Sequence, residues 1–195
     1  MNSDWPVQPG SPRPTDPERL PPGVGEPGRA PVLVLGIGNE SFADDGLGVV
    51  AARRLAALGL PGVEVMDGGT LGLSLLPQIV DRAALLVLDA VVGGGLPGGE
   101  VVVLTGADLE RCRSSFAWPH QVGLVDALIE ARLVGRAPGR VAAVGIPPAE
   151  LDPGFGLSAQ VDAALGRVVR RALDQLAEWD VPVPAHLPAH PARWW

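Results

Sequence analysis

From Pro31 onward the sequence switches between short continuous apolar runs and stretches whose apolar residues recur every three or four positions. Continuous runs suit strands covered on both faces of a sheet, and the helical rhythm suits helices laid against it. The expected strands are Val32–Leu35, Val63–Met66, Ala84–Leu88, Glu100–Leu104 and Val141–Ile146. Leu47–Leu58 reads as a helix with Val50, Leu55 and Leu58 near one face and Gly59 as its stop. Leu71–Val80 reads as a second helix, with Thr70 as its cap and Pro77 bending or shortening it. His120–Leu133 is a third, ending near Gly135, and Ser158 is placed to cap a long fourth lined by Val161, Leu165, Val168, Val169, Ala172 and Leu176. Residues 106–118 fit neither rhythm. This alternation predicts an α/β domain with a largely parallel sheet. The connection Gly93–Gly99 is too short for a helical crossover, so the fourth strand is expected to run antiparallel to its predecessor.

The pattern turns into chemistry at Val32–Val49, V-L-V-L-G-I-G-N-E-S-F-A-D-D-G-L-G-V, where a strand ends in a glycine turn and a polar loop delivers Asp44 and Asp45 to a helix mouth. In open α/β sheets ligands bind outside the carboxyl ends of the strands. An Asp here is ordinarily a helix cap at the positive end of the dipole. One Asp satisfies that role, which leaves the other carboxylate without an obvious structural duty. Asp67 ends the second strand in D-G-G-T, where an Asp turn residue is the plain explanation. In a parallel sheet, however, the ends of the first two strands share a rim, so Asp45 and Asp67 can converge. Two carboxylates facing one crevice repel each other unless a cation sits between them, and a metal is the simplest such cation. His120, in W-P-H-Q, is either a surface or capping residue or the nitrogen of a mixed O,O,N ligand set with positions open for water or substrate. Asp89, at the end of the third strand, is either a support behind such a site or a strand-end cap.

Composition narrows the classes. A chain of 195 residues that is 47% hydrophobic can bury one substantial core. Residues 1–30 and 180–195 are Pro-rich with little apolar clustering, and are expected to be a disordered arm and a tail flanking a domain over 31–179. The net charge of −7 and the lack of a basic stripe argue against a nucleic-acid partner. Lys is absent from the sequence, which excludes a P-loop lysine and a Schiff-base lysine. No apolar run reaches membrane-spanning length and the start is acidic and Pro-rich, so a cytoplasmic location is expected. Cys112 is the single cysteine; an inert buried thiol is a better reading than a thiol–imidazole pair with His120. Gly36-Ile37-Gly38 invites a dinucleotide site, but Ser41 stands where the third glycine belongs and the acidic pair would repel a pyrophosphate.

Taken together, L-G-I-G-N-x4-D-D-G-x-G (Leu35–Gly48), D-G-G-T-x-G (Asp67–Gly72), D-A (Asp89, Ala90), P-H-Q-x-G (Pro119–Gly123) and G-I-x-P ahead of G-x-G-L-S (Gly145–Ser158) resemble the [NiFe]-hydrogenase maturation endopeptidases, in the same order. The resemblance covers about residues 31–178. It implies a three-layer α/β/α sandwich, phosphorylase/hydrolase-like, around a five-stranded, mostly parallel mixed sheet with one antiparallel strand. It also implies an endopeptidase, of aspartic or metal-dependent type, that removes a C-terminal extension from a hydrogenase large-subunit precursor once nickel is in place. The nickel-recognising positions of the family fall on Asp45, Asp67 and His120, the residues singled out at the rim, and Asp45 stands where the family often has Glu. The nickel is expected to come with the substrate, the protein to be a monomer, and no membrane span or nucleic acid to be involved. A nickel-binding assembly factor without cleavage would use the same ligands, and a nucleotide-binding module would use the glycine turn instead.

Overall fold

The computed structural model describes residues 29–91, 99–105, 108 and 119–185, with the side chains of 119–122 excepted. Residues 1–28 of the expected arm, most of the connection 93–99, Cys112 within 106–118, and His186 and His190 of the tail lie outside the described residues. Five strands form one sheet: β1 (Val32–Ile37), β2 (Val63–Gly69), β3 (Ala84–Ala90), β4 (Val102–Thr105) and β5 (Arg140–Ile146), in the order β2-β1-β3-β5-β4. Four run parallel, and β4 is antiparallel to β5. The reversed fourth strand therefore matches expectation, although its hydrogen-bonded neighbour is β5 and not β3.

Strand alternation divides the core in two. Val32, Val34, Leu86, Leu88, Val144 and Ile146 face the helices α1 (Leu47–Ala56) and α4 (Ala159–Glu178). Leu33, Leu35, Ile37, Leu85 and Val87 face α2 (Leu76–Ile79) and α3 (Pro119–Leu133). Both faces of β1 and β3 are thus covered, which is why these strands read as unbroken apolar runs, and each large side chain so buried stabilises the fold by about 1.5–3 kcal/mol. The result is the three-layer sandwich.

Two local expectations need correction. Thr70 caps no helix: the chain first makes a 3-10 turn, Gly72–Leu75, whose cap position is Leu71 and carries no side-chain hydrogen bond. Pro77 sits in the first turn of the four-residue α2, where its missing N–H costs nothing. Ser158 does cap α4, its Oγ accepting from the Val161 N–H at 3.3 Å. The edges of the domain are tied down. Arg29 donates to the Pro77 carbonyl at 2.8 Å, and the buried Arg82 guanidinium donates to the carbonyls of Ala30 (2.6 Å) and Gln78 (2.9 Å) and to Glu64 (2.6 Å). Beyond α4, Val181 is buried and Val183 packs on the α1/α4 core.

Candidate functional site

The turn after β1 is the pivot of the carboxyl edge. Gly38 has φ +127°, and a Cβ there would lie 1.8 Å from the Asp45 carbonyl oxygen, so only glycine lets the loop carrying the acidic pair fold back against the strand end. That loop closes as a 3-10 turn, Ala43–Gly46, running straight into α1. Its two acids then divide their duties. Asp44 is fully buried and accepts four hydrogen bonds: from the N–H groups of Ala149 (2.9 Å), Glu150 (2.8 Å) and Ser158 (2.7 Å), and from the Ser158 hydroxyl (2.9 Å). It caps no helix of its own; it is the buried tie between the first loop and the segment leading into α4. Asp45 is also buried, and its Oδ2 accepts the Asn39 N–H at 2.7 Å.

Asp67 is linked to the same turn through Gly69 and Arg53. Its strand pairs through Gly36 and Asp67, and the Gly38 N–H donates to the Gly69 carbonyl at 3.0 Å. Asp67 Oδ1 accepts the Gly69 N–H at 3.1 Å, while Oδ2 lies 3.2 Å from Nη2 of Arg53 on α1. Arg53 grips Glu40 more closely, with Nη1–Oε1 at 2.6 Å and Nη2–Oε2 at 2.7 Å. The guanidinium is held above its ordinary pKa chiefly by the Glu40 hydrogen bond, with burial opposing and Asp67 adding to it. Neighbouring Arg54 is instead pushed down by burial, partly offset by Asp162.

His120 lies in the first turn of α3, on the other side of the sheet from α1. Its helix is fixed to the residues following Asp67: a Cβ on Gly123 would come within 2.6 Å of the Gly72 Cα and 3.1 Å of the Leu73 nitrogen. His120 precedes that contact by three residues along the backbone of α3. Asp67 shares the alternation of Val63 and Val65 and projects toward α1, as its contact with Arg53 requires. Asp89 shares the alternation of Leu85 and Val87, on the α3 side, and is buried. Asp45, Asp67 and Asp89 thus lie at the carboxyl ends of three neighbouring strands, Asp67 toward α1 and Asp89 toward α3, and among the described residues no three His, Cys, Asp or Glu side chains are gathered closely enough to hold a metal ion. Beside this edge, a cavity of about 170 Å³ opens between α1 and residues 155–157, bordered by Glu40, Arg53, Arg54 and the exposed Phe155.

Sequence reasoning missed Arg53 and the role of Asp44. The basic residue on the exposed face of α1 gave no signal, and the partners of Asp44 lie more than a hundred residues away along the chain.

The model of the hydrogenase maturation protease family (HycI) matches residues 49–175. The chain belongs to the hydrogenase maturation protease family. It is 34% identical over 149 residues to the hydrogenase 2 maturation protease of Escherichia coli, covering 75% of this chain and 91% of that protein. It is 38% identical over 160 residues to the hydrogenase expression/formation protein HupD of Rhodobacter capsulatus, covering 78% and 74%. Among solved structures it resembles the hydrogenase maturating endopeptidase HybD from E. coli, with a TM-score of 0.71 at 34% identity over 77% of this chain and 94% of that one. The [NiFe] hydrogenase maturation protease HybD from Thermococcus kodakarensis gives a TM-score of 0.63 at 31% identity, covering 75% and 98%. Family membership makes this hydrogenase maturation protease an enzyme that hydrolyses peptide bonds, on the three-layer fold described above. Among the described residues no helix is long and apolar enough to cross a membrane.

Proposed function

We propose that this protease removes the C-terminal extension of a [NiFe]-hydrogenase large-subunit precursor after nickel insertion, recognising the nickel that the precursor carries. The observation that supports the reading is the turn at residues 38–40, whose Asn39 N–H binds Asp45 and whose Gly38 N–H binds the Gly69 carbonyl two residues beyond Asp67, while the Gly72–Gly123 contact fastens the helix of His120 to the same edge. Two carboxylates and an imidazole meeting at this edge would form a donor set suited to a borderline divalent ion with positions left for ligands from the substrate. Nickel enters as part of the substrate. It tethers the precursor and either polarises the scissile carbonyl or water, or positions the chain while a carboxylate such as Asp45 acts as base. In both routes the water oxygen bonds to the carbonyl carbon, the C–N bond breaks, and the proton lost by the water ends on the departing amine. Asp89, buried on the α3 side, is a further carboxylate within this edge. The protease acts as a cytoplasmic monomer.

The deciding experiment incubates the protein with nickel-loaded and nickel-free precursor and follows the mass of the large subunit. Loss of the extension from the loaded form alone is expected; equal cleavage of both would overturn nickel recognition. Asp67→Asn and Asp89→Asn, run in parallel, separate the contributions of the two flanking carboxylates.

A further inference from the structure

Asp67 already has a cation. Both of its oxygens are engaged, Oδ1 by the Gly69 N–H and Oδ2 by Arg53, and the guanidinium is anchored elsewhere by its two shorter bonds to Glu40. All three side chains are substantially solvent-exposed, at 53% for Arg53, 39% for Glu40 and 47% for Asp67, so the longer contact is a weak, displaceable one. Glu40 can keep Arg53 when Asp67 lets it go, because the fork to Glu40 uses both terminal nitrogens.

We infer that Arg53 is a tethered counter-cation for Asp67, displaced by the nickel of the substrate and standing against free divalent ions in its absence. The inference rests on the proposal that Asp67 meets that nickel. A bare rim of carboxylates would collect any divalent cation in its surroundings, and a protease whose metal arrives inside its substrate would then be blocked before the substrate docked. A fixed positive charge a few ångströms away lowers the affinity for a free ion. A precursor offsets that penalty with its own protein contacts, whereas a lone ion has none. Arg53 is therefore a positioning residue that sets specificity, acting through Asp67.

The test is calorimetric titration of the full chain with nickel chloride at low and moderate salt, alongside melting temperatures. Removing one positive charge beside a divalent ion in a water-like medium is worth about tenfold in affinity, and salt shrinks the effect. Arg53→Gln should therefore bind nickel about tenfold more tightly at low salt, and Arg53→Lys should return to near the wild-type affinity. Glu40→Gln should bind more weakly, because it removes a nearby negative charge and frees Arg53 to settle on Asp67. Unchanged or weaker binding in Arg53→Gln, together with weakened binding in Asp67→Asn, would overturn the role of Arg53 alone and leave a mere strap between α1 and β2. Unchanged binding in Asp67→Asn would overturn this inference and the reading of Asp67 as a ligand together.

Discussion

Adjacent acids in one loop illustrate how position, and not residue type, assigns a task. Asp44 receives four donors in a buried setting, so Asp44→Ala would strand them and should cost about 3 kcal/mol, read as a lowered urea midpoint. Asp45, Asp67 and His120 should answer to a different measurement, the cleavage of nickel-loaded precursor. His120→Ala should slow it on the order of a hundredfold or more, since it removes the nitrogen donor that best suits nickel. Asp67→Asn keeps the size of the side chain and loses its charge, and should rank next. Asp45→Glu should be mildest, because it keeps the charge and the carboxylate donor and adds only one methylene; full activity in His120→Ala would refute the ligand set. The sequence showed that the two acids of this turn need not share one task. It did not disclose which of them ties the loop to the rest of the domain, because the hydrogen bonds that decide it come from residues 149, 150 and 158.

At the level of elements, the strands and long helices were legible because an apolar run or a 3.6-residue stripe is a local property. The second helix was not: the backbone after D-G-G-T turns through Gly72, with φ +54°, before any α-helical hydrogen bond forms, and the helix that follows ends after one turn where Val80 becomes extended. Nor could local patterning show that this turn and α3 touch. Their contact is glycine against glycine, and apolar periodicity does not register a residue without a side chain. Gly123→Ala should force a Cβ to within 2.6 Å of the Gly72 Cα and push the start of α3 outward, at about 1–3 kcal/mol. Cleavage should fall far more than that loss of stability alone implies, as comparison of turnover with calorimetric melting at an assay temperature well below the transition would show. Unaltered turnover would mean that the placement of α3 is immaterial to the reaction.

Across the whole molecule, Arg29 and Ala30, within the proline-rich stretch, are anchored on Pro77 and Arg82. A chain beginning at Pro31 should melt about 2–4 °C below one beginning at Arg29, as expected for the loss of a few partly buried hydrogen bonds from a domain of this size. Equal melting curves would show that the two residues merely rest on the surface. The tie from Asp44 to Ser158 spans 114 positions and has a consequence in time. Closing so long a loop comes late, and a nascent chain can form β1, α1, β2 and β3 well before residue 158 leaves the ribosome. Until then the loop bearing Asp45 lacks its buried anchor. The loop geometry at this edge is thus completed only after residue 158 has emerged, so, on the function proposed above, a half-synthesised chain would hold its carboxylates without the arrangement needed to use them.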